Sequence, residues 1–530
     1  MIEFVNFCKK NYFLIVFAAF CVFISYSAKI FLFSIGVDTD CFIADRQGTI
    51  EHLFAINRTS FVFLRNLWHI KQFNPFYFTI VGMIFLTLSA VSWAYFISCF
   101  DKKSSRKLPL FAFVGVMLTS PIWAEKLYFT ATENFAIIFI LPFVIVALFK
   151  GFEEKSKKKI IATILIMAFI INVYQSFAVL FLFGIAIVFI FTSQNNDFDK
   201  KLPLKIFASF LISLAIYWLI GKFSIFIFQI DKSDYLSQMN VWNAGSIKTN
   251  ILNILGFGYI LTFAKIPQIH SIVSSVFLDK SSFTITTGMS IPDRIYELAS
   301  VFGSVILLPL IIVFFVYLWK NKEKNQKVIY WSAGIFIPLS IMLLAIILGN
   351  KPPFRTLFEY PFVFGFLFYF IISRSSKKIS CFFAILAFAV ALNSSQISSA
   401  LFYSDSERFR QDVFLAQQID FEIRKIENEA EKINIAFIGK REPQKSAVYI
   451  RGEVIGFSKF EFGVNDFWES SKRGVMFMQS LGMNYELSDS SQMKTARELA
   501  KTMPNFPQDG SIMLFDDFII VKLSDSVYEE

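Results

Sequence analysis

Residues 33–46 read FSIGVDTDCFIADR, and they stand where a mostly apolar run from about Tyr12 to Ile35 comes to its end. A run of that length spans a hydrocarbon core as a helix. It is also longer than the h-region of a signal peptide, so it is expected to persist as a first transmembrane helix. Asp38 and Asp40 then fall at the membrane surface, where that helix emerges.

The remainder of the 530 residues fits this setting. The chain is 55% hydrophobic, 18% aromatic and only 17% charged, with a mean hydropathy of +0.55, far from the soluble range. A polytopic α-helical membrane protein is the fold class these values imply. The 69 Phe are read as lipid-facing surface. The net charge of +10 hides a division: residues 401–530 carry net −6 and residues 1–400 net +16. The basic excess thus belongs to the membrane part, where loop topology explains it and no nucleic-acid partner is needed. Cysteines at 8, 21, 41, 99 and 381 have neither disulfide-framework nor zinc spacing. With His only at 52, 69 and 270, no His-based metal cluster or Ser-His-Asp relay is easily assembled, and there is no P-loop or dinucleotide fingerprint.

About eleven spans are expected: 12–35, 76–100, 108–123, 134–148, two short crossings within 160–191, then 206–230, 295–318, one ending at Gly349, one ending at Arg374, and 381–397. This count puts every dense basic cluster on one side: Lys9 and Lys10, 102–107, 151–159, 200–205, 320–327 and 374–378. The N-terminus is then cytoplasmic and the C-terminus outside. Residues 50–68 are expected to form an amphipathic helix on the outer surface, and 251–263 an interfacial or re-entrant one.

Residues 401–530 read as a small α/β domain beside a membrane module of residues 1–400. Its expected elements are a charged helix from Glu407 to Ala430, strands INIAFIG and VYIRGEVIG, helices at 474–481 and 490–503, and a strand pair SIMLF and FIIVKL joined at Asp516 and Asp517.

Several groups with chemical potential emerge on the outer side. The DTD triplet has three readings: the Asp-x-Asp metal site of nucleotide-sugar transferases, a solvated acidic loop, or a general base. The last has a physical reason, since a carboxylate partly desolvated at a helix end takes a proton from a hydroxyl. Arg58 lies in the first outer loop, and Glu125, Lys126 and Tyr128 lie in an expected outer turn at 124–134, where Glu125 is the next candidate base. Asn172, Tyr174 and Gln175 interrupt an apolar hairpin, which is costly unless they face a cavity. Lys351 and Arg355 flank two prolines, and Arg355 suits either a phosphate or a lipid headgroup. With no nucleotide motif, the energy for any reaction must come from an activated substrate.

The ordered motifs VDTDCFIADR, NRTSFVFLRNL, LTSPIWAEKLYFT, VYQSF, PPFRTL and MPNFPQDGSIMLF, spread from Val37 to Phe515, resemble the bacterial serotype-converting O-antigen glucosyltransferases of the Gtr type II family. The resemblance implies a GT-C-like glycosyltransferase of the bacterial inner membrane with its C-terminal α/β domain in the periplasm. It implies transfer of a sugar such as glucose, with inversion, from a polyprenyl-phosphate donor to a periplasmic glycan such as O-antigen of lipopolysaccharide. By the same implication Asp38 and Asp40 are the base candidates. Arg355 with Lys126 or Arg58 would balance the phosphate, and Tyr128, Tyr174, Gln175 and Lys351 would line the site. No cofactor and no metal is required, though the two aspartates leave room for a divalent ion. The expected partners are the lipid-linked donor, the glycan acceptor and membrane lipid. A lipid-linked glycan polymerase or ligase would depend more on outer arginines than on first-loop carboxylates. A flippase or transporter would carry charges mid-membrane and repeated halves.

Overall fold

A computed structural model describes residues 2–67, 74–101, 106–193, 198–231, 240–242, 246–263, 291–321, 327–427, 432–461 and 470–525. The basic residues 102, 103, 322 and 324, and histidines 69 and 270, lie outside them.

Among the described residues five helices are long and apolar enough to cross a membrane: Pro75–Phe100, Thr132–Glu153, Leu202–Phe228, Lys327–Leu348 and Lys377–Ile426. The number rises to eight if three bent pairs each count as one span. Hydropathy counts apolar residues along a straight rod, and this chain bends its rods. Ile2–Lys10 meets Tyr12–Tyr26 at 81°, Leu108–Leu118 meets Pro121–Tyr128 at 46°, and Arg294–Phe302 meets Leu307–Lys320 at 46°. Other expected crossings are short: Lys157–Val173 and Phe177–Thr192 form the hairpin, with 17 and 16 residues, and Glu359–Arg374 has 16. The expected first outer loop folds as Arg46–Ala55 and Thr59–Leu67, and the expected interfacial segment is helix Ile247–Thr262.

The helices are held together at both ends. At one end Arg374 pairs with Asp101 at 2.6 Å, Arg106 donates to the Ser375 carbonyl at 3.1 Å, and Lys150 meets Glu3 at 3.5 Å. These contacts gather the helix ends next to several of the basic clusters. At the other end the Asn172 side chain accepts from the Ser60 amide at 2.6 Å and donates to the Asn57 carbonyl at 3.2 Å. The polar group inside the apolar hairpin is thereby satisfied by the backbone of the first outer loop.

Lys377–Ile426 is one helix of 50 residues. The separate helix expected from Glu407 is its distal part, because nothing in 397–412 breaks helical geometry. Ala416, Ile419 and Ile423 on that part pack into the core of the C-terminal sheet with Ile435, Phe437, Ile519 and Val521. The sheet has the order β2-β1-β4-β3, with β1 Asn434–Ile438, β2 Glu486–Leu487, β3 Ile512–Phe515 and β4 Phe518–Lys522. β1 runs parallel to both neighbours, while β3 and β4 form an antiparallel pair opposing Ile512 to Val521 and Phe515 to Phe518. Helices Ser471–Ser480 and Ser490–Ala500 pack against it.

The expected strand VYIRGEVIG is absent. In its place, residues 451–461 form an irregular strap in which every residue is buried. The Gly452 amide donates to the Ile455 carbonyl at 3.0 Å, and Gly456 has φ 85°, so the chain turns where a strand would extend. Its end residues pair with each other, Arg451 Nη1 to Glu461 Oε1 at 3.1 Å and Nη2 to Oε2 at 3.2 Å.

Candidate active site

The site begins at a helix break. Pro121 lacks an amide hydrogen and disfavours helical geometry at the residue before it, and Ser120 accordingly has ψ 131°. The chain restarts as Pro121–Tyr128, all of it buried, so Glu125, Lys126 and Tyr128 sit in an inward-turned helix and not in the expected open turn. The end of the first apolar run packs directly on this helix. A Cβ on Gly36 would lie 2.1 Å from the Tyr128 carbonyl oxygen, so only glycine allows the approach. Thr39 and Thr130 hydroxyls meet at 2.9 Å beside it.

The two aspartates of the triplet have different environments. Asp40 is fully buried, 2.9 Å from Lys459 Nζ on the strap and 3.7 Å from Arg473 Nη1. Burial alone would raise its pKa, but Lys459 and then Arg473 reverse this and hold the carboxyl below its ordinary value. Asp38 has a left-handed backbone, φ 64°, and a side chain 54% exposed, with Arg473 Nη2 3.1 Å from Oδ1. It is the carboxylate of the pair that solvent, or a hydroxyl, can reach.

The hairpin and the inward-turned helix bring a second group together. Two cations contact the Tyr174 ring, Lys126 Nζ at 3.8 Å and the Arg58 guanidinium at 4.1 Å from its centroid. Phe358 closes the far side of Lys126 at 4.9 Å. Gln175 accepts from Arg58 Nε at 3.5 Å and donates to the Ile56 carbonyl at 2.9 Å, which ties the first outer loop to the hairpin. Among the described residues neither Lys126 nor Arg58 has a carboxylate partner. The charges that act on Lys126 are those of Arg58, Arg355, Glu133 and Asp38. Glu133 itself is engaged by a buried Arg65, at 2.6 and 2.8 Å.

The remaining expected site residues serve the strap. Glu125 Oε1 accepts from the Glu453 and Val454 amides, and a Cβ on Gly452 would lie 2.1 Å from it. Glu453 in turn holds Lys351 Nζ at 3.4 Å, the Phe354 amide at 2.8 Å and Arg355 Nη1 at 3.3 Å. Arg355 also covers the Phe129 ring at 4.9 Å. Arg294 donates to the carbonyls of Gly452 and Glu453 at 2.8 and 3.1 Å. Tyr128 is buried, and its hydroxyl receives a hydrogen bond from Arg408 at 3.2 Å. Arg408 also binds Asp405 and, at 3.2 Å, Asp412, which accepts from the Ser458 hydroxyl at 2.6 Å and the Lys459 amide at 3.0 Å.

The expected residues therefore separate into three groups. Arg58, Lys126, Tyr174 and Gln175 converge; Glu125, Lys351 and Arg355 anchor the strap; Asp38 and Asp40 meet Arg473, and Tyr128 meets Arg408, in the charge network beside it. Sequence reasoning missed Glu453, Lys459, Arg473, Arg408 and Arg294. One signal was present: RGEVIGFSKFEFG sets four charges in an otherwise apolar, glycine-punctuated stretch, which suits burial with partners. Among the described residues no group of three or more His, Cys, Asp or Glu is placed to hold a metal ion.

No curated protein and no solved structure matches the chain. A family model does: that of glucosyl transferase GtrII matches residues 30–372, a stretch that begins just before the DTD triplet and takes in both Lys126 and Arg355. The convergent residues all lie within it, whereas the strap and Arg473 lie beyond it. Matched over well more than half its length, the chain belongs to the glucosyl transferase GtrII family, a family of glycosyltransferases.

Proposed function

We propose that the protein transfers a sugar, glucose first among candidates, from a polyprenyl-phosphate donor to a periplasmic glycan such as O-antigen, with inversion at the anomeric carbon. The observation that carries this reading is the pair Lys126 and Arg58, two cations that share the Tyr174 ring and have no carboxylate partner among the described residues. Burying an unpaired cation costs several kcal/mol, and contact with an aromatic face returns roughly 1–2 kcal/mol. An anion between them would recover the difference. A sugar phosphodiester brings one negative charge and its leaving phosphate close to two, so the two cations favour the state after bond cleavage.

In the proposed step Asp38 takes the proton of the acceptor hydroxyl. The oxygen lone pair forms the new bond to the anomeric carbon, and the bond from that carbon to the phosphate oxygen breaks with its electron pair leaving on the lipid phosphate. Lys126 and Arg58 balance that charge, and Tyr174 and Gln175 hold the two cations in place. Arg355, already engaged by Glu453, is left to the wall of the site. The step uses no cofactor.

The test supplies purified protein in lipid with radiolabelled polyprenyl-phosphate glucose and a glycan acceptor. Expected are label on the acceptor and a loss of donor affinity of about 10- to 100-fold in Lys126→Met and Arg58→Gln, the scale for removing one partner of a charge-assisted pair. Donor binding equal to wild type in both variants would sink the assignment. Label appearing only as lengthened lipid-linked glycan would favour a polymerase.

A further inference from the structure

We infer that Arg473, on helix Ser471–Ser480 of the C-terminal part, is a positioning residue for Asp38, so that the active site is completed by a residue outside the stretch matched by the family model. This rests on the reading of Asp38 as the base.

Three observations converge. The first is the number of points at which one guanidinium grips one turn: Nη2 lies 3.1 Å from Asp38 Oδ1, while Nη1 lies 3.7 Å from Asp40 Oδ1 and donates to Cys41 Sγ at 2.9 Å. The second is the backbone it grips. Asp38 is a non-glycine residue at φ 64°, a conformation uncommon outside glycine that persists where surrounding contacts over-determine it. The third is the asymmetry of exposure, since the Arg473 side chain is 14% exposed and that of Asp38 54%. The cation is fixed on the protein side, and the carboxylate it holds keeps an open face.

Stability is a poor explanation for the Asp38 contact. An ion pair with one partner so exposed adds little to stability, and Asp40 already has Lys459 at 2.9 Å. Orientation is the better one. A planar fork fixes several acceptors at set angles, which a lysine point charge does not. A base must lie within hydrogen-bond reach of the proton it takes, so a turn free to relax from φ 64° would carry Asp38 out of reach without touching the donor site.

The experiment measures donor affinity, turnover at saturating donor, and melting temperature for Arg473→Lys, Arg473→Ala and Asp38→Asn. Turnover of Arg473→Lys and Arg473→Ala is expected to fall tenfold or more with donor affinity and melting temperature near wild type, and added guanidinium is expected to restore part of the Arg473→Ala loss. Asp38→Asn separates the two ideas. If it keeps normal turnover, the base reading fails; if it is inactive while Arg473→Lys turns over normally, only the positioning role fails. Loss of donor affinity in proportion to turnover would also overturn the role, and so would a melted Arg473→Ala that guanidinium does not rescue together with a fully active Arg473→Lys.

Discussion

Glu453 and Arg355 meet across 98 residues of chain, with Nη1 3.3 Å from Oε2. The arginine that sequence offers as a phosphate ligand thus already has an internal anion.

Arg355→Ala is therefore expected to act on the strap more than on the donor. It removes one of three donors to Glu453, the others being Lys351 and the Phe354 amide. Loss of a hydrogen bond to a charged group costs about 1.5–3 kcal/mol. A lowered melting temperature with near-normal donor affinity is the expected outcome, and Glu453→Gln should resemble it. A large loss of donor affinity in Arg355→Ala at unchanged stability would return the phosphate to this arginine.

Asp38 and Asp40 are expected to part company on mutation. Asp38→Asn removes the exposed carboxylate, and losing a general base costs on the order of 10²- to 10⁴-fold in turnover, with folding intact. Asp40→Asn leaves Lys459 buried without its carboxylate, which costs about 3–5 kcal/mol. Turnover assays beside thermal melts distinguish the two; an unstable Asp38→Asn with a stable Asp40→Asn would reverse the assignment.

Stability should fall as pH rises through the weakly acidic range. Burial pushes the Glu461 carboxyl from an ordinary 4.5 up to about 7, with Arg451 opposing and Glu442 adding to it. The folded state then binds a proton that the unfolded state releases between about pH 4.5 and 7, so this group's contribution is full below the ordinary value and is lost as pH climbs to the folded one. Glu461→Gln should flatten that part of the slope of melting temperature against pH. An unchanged slope would mean that Arg451 keeps Glu461 ionised throughout.

Labelling from outside the cell tests the orientation. In a background with the exposed Cys381 replaced by Ser, an impermeant thiol reagent should modify Ser490→Cys, exposed on the C-terminal part, and not Lys157→Cys, exposed at the basic start of helix Lys157–Val173. The reverse pattern would invert the topology.

The long apolar runs were legible because membrane helices satisfy their backbone internally and need only length and apolarity. The C-terminal strands at 434–438, 512–515 and 518–522 were legible for a similar local reason. The bends were harder. Pro121 marks one of them, yet its effect depends on what receives the redirected helix, and here that is the Gly36 backbone. The strap was misread because VYIRGEVIG alternates like a strand, whereas its course is decided by Glu125, Lys351, Arg355 and Arg294, residues distant in sequence. Lys126 and Arg58 could be named from the sequence as cations on one side of the membrane. Their common ring, Tyr174, could not, since it rests on how a hairpin tip and a kinked helix meet.

The helix Lys377–Ile426 sets a condition on chain length. Fifty residues rise about 75 Å, and this rod is pinned in phase at two heights: near its start, where Arg106 donates to the Ser380 hydroxyl, and further along by Arg408 on Tyr128. One inserted residue between them would turn everything beyond it by about 100° and swing Arg408 away from its partners. A seven-residue insertion returns to within about 20° in rotation, but lifts the C-terminal sheet by about 10 Å. Chimeras that exchange C-terminal parts between such enzymes must therefore keep the residue count from Ser380 to Asp412 unchanged, or the strap will arrive out of register with the loops it joins.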